Sequence, residues 1–299
     1  MLTVLALAAA VASSPITVVD DDGRTVSLPR SPRRIVSTAP SNTSALFALG
    51  AGDRLVGITS WCRLPDGAPP VEVIGRFSTI DLEAVLGLEP DLVVATGSEQ
   101  RRYVARLQEL GLPVLVLYPT DLDGVMRSLR ALGRALGQER RARELVAGLR
   151  ARLRVIDEKV RMIAAADRPR VFVKLSWNPL YTAGPGSTVH EAIERAGGRN
   201  IATDIDKPYS TFSREVVIAR DPEVVLLGMN ADQGAVAEQA GFAGLTAVRD
   251  GRIHRLEPHL LFHHNHQLVD GIEELFRLFH GAAVDRLGEA GDGLRGSAR

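Results

Sequence analysis

The sequence predicts an α/β protein built as two similar lobes, each with a parallel sheet, joined by a single long α-helix. Three observations predict it. β-rich runs alternate with helical runs along the chain. One stretch is written almost twice: "DLEAVLGLEPDLVVA" at 81–95 and "SREVVIARDPEVVLL" at 213–227. Glu83 matches Glu215, Pro90 matches Pro222 and Asp91 matches Glu223, each pair 132 positions apart. Between the copies runs one unbroken amphipathic segment.

The elements follow in order. "LTVLALAAAVASS" is an apolar run followed by small residues, too short to cross a bilayer, and it reads as a secretory leader over residues 1–14. "ITVVDDDGRTVSLP" reads as a hairpin about an Asp-Gly turn. The first lobe, 15–137, continues with the buried strand "RRIVSTAP". A helix opening on the cap-type residues Asn42 and Thr43 comes next, then the strand "RLVGITS". Further helix–strand units end in a helix over about 122–136. From Gln138 to Ile163 there is no Pro and only one Gly, and apolar residues recur every three or four positions. That is one helix of roughly 26 residues, about 39 Å long, within a linking segment set at 138–166. The second lobe, 167–285, restarts the first: "RPRVFVKLSWNP" is again a strand running into a Pro-containing loop, and "TVHEAIERAGGRNIA" is again a helix closing on glycine before a strand. A flexible tail is expected over 286–299.

Composition narrows the function. Hydrophobic residues make up 45% and charged residues 24% of the chain, and 36 basic side chains balance 36 acidic ones. No field of one sign recruits nucleic acid or an anionic membrane. Cys62 is the single cysteine, so the chain holds no internal disulfide and no C-x-x-C site. Catalytic signatures are missing too. "GAGDRL" has Leu55 where a dinucleotide fingerprint needs its third glycine, and "AGPGST" lacks the lysine of a phosphate loop. Neither G-x-S-x-G nor H-E-x-x-H occurs.

Open α/β sheets bind ligands beyond the carboxyl ends of their strands, and two lobes facing across a strut make a cleft from those ends. Aromatic residues are only 5% of the chain, yet both tryptophans, Trp61 and Trp177, fall in such loops. Phe77, Tyr181, Tyr209 and Phe212 lie in loop segments as well. Each ring alone is as well explained by loop packing; the set suits a large, partly apolar ligand.

These residues carry a resemblance. "RRIVSTAPSNTSALFALGAGDRLVGITSWC", "DLEAVLGLEPDLVVA", "NPLYTAGPGS" and "SREVVIARDPEVVLL" resemble the periplasmic substrate-binding proteins of ABC importers for cobalamin, iron-siderophores and haem, over about residues 31–280. The first stretch looks most like the cobalamin-binding branch. The resemblance implies two Rossmann-like lobes of the class III periplasmic-binding-protein type, bridged by one helix. It implies capture of a corrinoid in the cleft between the lobes and delivery to a permease dimer. The expected protein is a monomer and not an enzyme. It works in the periplasm after loss of a cleaved leader, requires no cofactor of its own, and takes cobalamin or another metal chelate as ligand. An iron-siderophore or haem is the alternative ligand.

The same resemblance assigns residues. Members of the class dock a Glu from each lobe onto permease arginines, and the matching positions are Glu83 and Glu215. A plainer reading serves both: Asp81 and Ser213 look like helix N-caps, and a first-turn carboxylate gains about 0.3–1 kcal/mol from the helix dipole. For the ligand, the resemblance carries over Phe77, Trp177, Tyr181 and Tyr209, with Trp61 in the neighbouring loop and Phe262 completing the set. One stretch departs from the pattern. In "HLLFHHNHQLVDG", His266 and Gln267 stand where the class carries a Pro-Arg pair. His263, His264 and His266 are candidate metal ligands there, as neutral imidazoles suit transition metals; a solvated polar loop is the other reading. A metal-dependent enzyme using that loop is a more distant alternative, since no general base is evident.

Overall fold

The computed structural model describes residues 14–228, 234–255 and 257–295. The expected leader, but for Ser14, lies outside the described residues. The chain divides into two compact units, Met1–Leu117 with Arg130–Ala142, and Tyr118–Leu129 with Arg143–Arg299.

In the first unit, β1 (Ile16–Val19) and β2 (Thr25–Leu28) form the hairpin, antiparallel about a turn in which Gly23 takes a φ of 77°. Then come β3 (Ile35–Ser37), α1 (Pro40–Ala48), β4 (Leu55–Ile58) and three two-residue strands: β5 (Glu72–Val73), β6 (Gly75–Arg76) and β7 (Thr79–Ile80). They are followed by α2 (Leu82–Gly87), β8 (Leu92–Ala95), α3 (Arg101–Glu109) and β9 (Val114–Val116). Five strands make a parallel sheet in the order β5-β4-β3-β8-β9. β3, β8 and β9 are buried at every position, as parallel strands covered on both faces must be. α1 opens earlier than its cap-type residues suggested. Pro40 starts it, because a proline loses nothing in a first turn that has no N–H partners. Asn42 and Thr43 are therefore interior. They serve the core instead, Asn42 Nδ2 donating to the Ala95 carbonyl at 3.0 Å and Thr43 Oγ1 to Ser37 Oγ at 2.9 Å.

Two helices follow, α4 (Leu122–Ala135) and α5 (Glu139–Arg161), and the division between units falls inside both. The linking helix is thus 23 residues rather than 26. Its last turn tightens through the Met162 N–H to Lys159 and Ile163 N–H to Val160 bonds, and residues 165–167 form a 3-10 turn.

The second unit contains β10 (Arg170–Lys174), β11 (Ser176–Trp177), β12 (Leu180–Ala183), α6 (Thr188–Arg195), β13 (Arg199–Asn200), β14 (Tyr209–Thr211), α7 (Arg214–Arg220) and β15 (Val224–Leu227). It ends in short α8 (Gly234–Ala237) and α9 (Thr246–Arg249), β16 (Ile253–Arg255), α10 (Pro258–Leu261) and α11 (Leu268–Arg295). Its parallel sheet runs β13-β10-β15-β16, and β11-β12-β14 form a separate antiparallel sheet. α11 is helical to Arg295, past the start expected for a flexible tail; no proline interrupts 268–295, so nothing breaks the helix. Residues 296–299 lie outside the described residues. Within this unit Arg152 on α5 grips Asp270 at 2.5 Å and Glu273 at 2.7 and 2.8 Å on α11.

The two sheets share one strand order, with β4, β3, β8 and β9 matched by β13, β10, β15 and β16. The repeated stretch also has one physical construction in both units. The helix ends on a left-handed residue, Glu89 at φ 45° and Asp221 at φ 40°. A proline then bars any further turn. Next, a carboxylate clamps the first strand: Asp91 accepts the Arg33 N–H at 2.8 Å and the Arg34 N–H at 2.9 Å, and Glu223 accepts the Arg170 N–H at 2.9 Å. Asp91→Ala removes the acceptor of two exposed backbone donors, which water can then meet, and is expected to cost about 0.5–1.5 kcal/mol. Urea unfolding should show this as a lowered midpoint; an unmoved midpoint would contradict the clamp.

Candidate functional site

The loops at the carboxyl ends of β4 and β10 carry the residues that stand out. Trp61, three positions beyond β4, stacks on Phe77 with ring centroids 5.8 Å apart and planes 5° from parallel. The pair is a flat apolar platform, offset as stacked rings prefer. Trp61 remains 59% exposed, unusual for so large a ring. The Phe77 backbone is anchored by Gln100, a wholly buried side chain. Its Nε2 donates to the Phe77 carbonyl at 2.9 Å and to the Thr38 carbonyl at 2.8 Å. Gln100 was not foreseen from the sequence, because a single amide in "SEQRR" carries no local signal of being the tie between two loops.

In the second unit the structure brings Trp177, Tyr181 and Tyr209 onto the small antiparallel sheet. Tyr181 pairs with Ser176 and Thr211, and its hydroxyl donates to the Tyr209 carbonyl at 3.1 Å. Trp177 packs edge-on against Phe242, centroids 5.8 Å apart, so part of this ring does serve the core. Burial pushes the Tyr209 phenol up. Phe262, half-buried, caps α10 through its N–H to the Pro258 carbonyl at 2.9 Å.

Lys174 closes β10 and is only 3% exposed. Its Nζ sits 4.8 Å from the centroid of the Trp177 ring. The lost water holds its ammonium below the usual lysine range. The Trp177 indole N–H is buried with no hydrogen-bond acceptor among the described residues. A lysine ending an apolar run, "RVFVK", was the available sequence signal.

Among the described residues no three His, Cys, Asp or Glu side chains group so as to hold a metal ion, and His263, His264 and His266 are not a ligand set. Neighbours in sequence diverge on an irregular turn. His264 lies 5.7 Å from the Tyr118 ring and bonds the Pro119 backbone, whereas His266 faces the charges of Asp270 and Arg152. Burial keeps all three neutral, His263 down to about 4.

The matched helices α2 and α7 are capped at their starts. Asp81 accepts the Glu83 and Ala84 N–H groups at 3.0 Å, and Ser213 accepts the Val216 N–H at 3.3 Å. Burial follows one pattern along 81–88 and 213–220, with Glu83 and Glu215 exposed in both. The Ser213 hydroxyl, 2.5 Å from Glu215, holds that carboxyl below its ordinary range.

The sequence profile of the periplasmic binding protein family matches residues 35–260, and the chain belongs to that family. It is 29% identical over 266 residues to an uncharacterised ABC transporter substrate-binding lipoprotein of Bacillus subtilis, covering 87% of this chain and 84% of that protein. It is 31% identical over 283 residues to a cobalamin-binding protein of Halobacterium salinarum, covering 91% and 76%. The periplasmic heme-binding protein of Roseiflexus sp. RS-1, solved in apo form, superposes with a TM-score of 0.75 at 27% identity, covering 85% of this chain and 100% of that one.

The buried histidines set a pH response. An unfolded chain protonates histidine near pH 6.5. His254, His263, His264, His266 and His280 all titrate lower when folded, chiefly through burial. Below about 6.5 the unfolded state therefore binds more protons, and stability present at neutral pH is lost towards about pH 4. The thermal midpoint should fall between pH 7.5 and pH 5, less steeply in His263→Gln; a flat profile in the parent would contradict the assignment.

Proposed function

We propose that this protein captures a corrinoid outside the cytoplasmic membrane and hands it to the permease of an ABC importer. It acts as a binder rather than a catalyst, as a monomer exported through a cleaved leader. The observation that carries the ligand is the Trp61–Phe77 platform: two parallel rings, Trp61 exposed and Phe77 anchored through its backbone by a buried glutamine, suit the apolar flank of a large planar ligand. Support comes from the 31% identity to a cobalamin-binding protein. Tyr181, Tyr209, Trp177 and Phe262 are the second unit's candidate contacts. Glu83 and Glu215 are the docking carboxylates, one per unit, exposed in the same helical turn, which suits a partner that presents the same basic surface twice. The importer itself is supported by the likeness to an ABC transporter substrate-binding lipoprotein.

A haem is the second reading, favoured by the likeness to a heme-binding structure and by His263, neutral above about pH 4 and so able to serve as a lone axial ligand. An iron-siderophore would draw on Arg63, Arg76 and Lys207, all exposed.

Titration with cyanocobalamin should quench tryptophan emission, and Trp61→Ala should weaken binding by about 30-fold, the scale of an aromatic hot spot. Glu83→Arg with Glu215→Arg should abolish uptake and leave that titration unchanged. A flat cobalamin titration with a response to haem or a ferric chelate would move the function to the second reading.

A further inference from the structure

The internal repeat supplies a control for one residue. Ile35 pairs with Leu92 in the first unit and Val171 pairs with Val224 in the second, so Lys174 occupies the place that Thr38 holds in the first. Thr38 is wholly buried and satisfied, its hydroxyl donating to Gln100 Oε1 at 2.5 Å and its carbonyl accepting from Gln100 Nε2. A short hydroxyl is thus all that the end of this strand needs to be stable. The second unit instead places an ammonium there, and among the described residues no hydrogen bond or ion pair meets it. It faces the ring of Trp177 instead, a weaker partner than a carboxylate. The same indole carries a buried N–H without an acceptor. The indole N–H is buried and unmet, and the ammonium, on a residue only 3% exposed, is unmet over the face of the same ring, beyond the carboxyl end of a parallel strand, where such sheets bind ligands.

We propose that Lys174 and the indole N–H of Trp177 form an anion subsite that takes a carboxylate or phosphate oxygen. The identity of its occupant rests on the ligand-binding function above; the subsite itself lies within the second unit. A corrinoid with its nucleotide arm presents a phosphodiester, and a haem presents propionates. The subsite reads the charged appendage of such a ligand. An ammonium short of water and left unpaired disfavours the empty fold, and the cost is recovered when an anion arrives, so selectivity falls on ligands that bring one.

The chain has two tryptophans, so Trp61→Phe leaves Trp177 as the sole reporter. Sodium phosphate, titrated against sodium chloride at matched ionic strength, should change its emission saturably. The change should vanish in Trp61→Phe with Lys174→Met and survive in Trp61→Phe with Lys174→Arg. An absent response, or one that persists with methionine, overturns the subsite. Lys174→Met alone should leave the thermal midpoint unchanged or raised, because it removes an unpaired buried charge and keeps the stem; a clear fall would mark Lys174 as structural and overturn the proposal. With corrinoids, Lys174→Met should lose about tenfold in affinity for cobalamin and little for cobinamide, which lacks the phosphate. Equal loss for both overturns the phosphodiester as occupant. A saturable phosphate response in a protein that binds neither corrinoid upholds the subsite and removes the corrinoid reading instead.

Discussion

Burial of parallel strands on both faces is the constraint from which the other features follow. The central strands β3, β8 and β15 are buried at every position and β10 at all but its first; apart from Ser37, Arg170 and Lys174 at strand ends their side chains are apolar, and their backbone bonds are spent on one another. Polar chemistry is excluded from the layers and can appear only where strands stop. That is where Gln100 ties two loops together and where Thr38 is satisfied. It is also where Lys174 is left facing an aromatic ring. The interior of each unit is a scaffold, and its loops are the chemistry.

The repeated stretch shows how local chemistry can make the same connection twice. A capped helix of two turns, a left-handed residue, a proline and a carboxylate clamp together turn the chain from helix to buried strand. Each part acts over a few residues, so the device survives although few of its letters are shared. Arg34 and Arg170 even repeat the last detail, each donating its guanidinium to carbonyls at the end of the preceding helix, Leu88 in one case and Arg220 and Asp221 in the other. The acids Glu83 and Glu215 sit on the outside of this device, and beyond the first-turn dipole only Glu215 adds to it, by accepting from the Ser213 hydroxyl. Their presence in both copies suits a role outside the fold.

What could be read in advance was what depends on neighbours in sequence. The alternation of strands and helices, the hairpin about Gly23, the 132-residue repeat and most of α5 were legible because periodicity and turn residues act locally. α1 was misplaced by two residues because a cap-type Asn and a helix-starting Pro compete, and the proline wins. The two-residue strands β5, β6, β7 and β11 exist through pairing with distant partners and leave no alternation to see. The site divided along the same line. Trp61 and Phe77 do meet, but what anchors the Phe77 backbone is Gln100, more than twenty residues further on. Three histidines within four positions looked like a ligand set and are not one, since adjacency on a turn sends side chains in different directions. Lys174 was visible only as an oddity in an apolar run. Its lack of a partner is a three-dimensional fact.

The account predicts a protein whose rings and buried cation are completed by a bulky, metal-bearing guest. The most direct measurement is the absorption spectrum of the protein isolated gently from the cells that make it, compared with the released small molecule. A bound corrinoid, with its visible bands retained on the protein and released by denaturation at one per chain, is the predicted result. A haem Soret band would contradict the corrinoid assignment. A protein that carries no chromophore, and acquires none when offered corrinoid, haem or ferric chelates, would contradict the account as a whole.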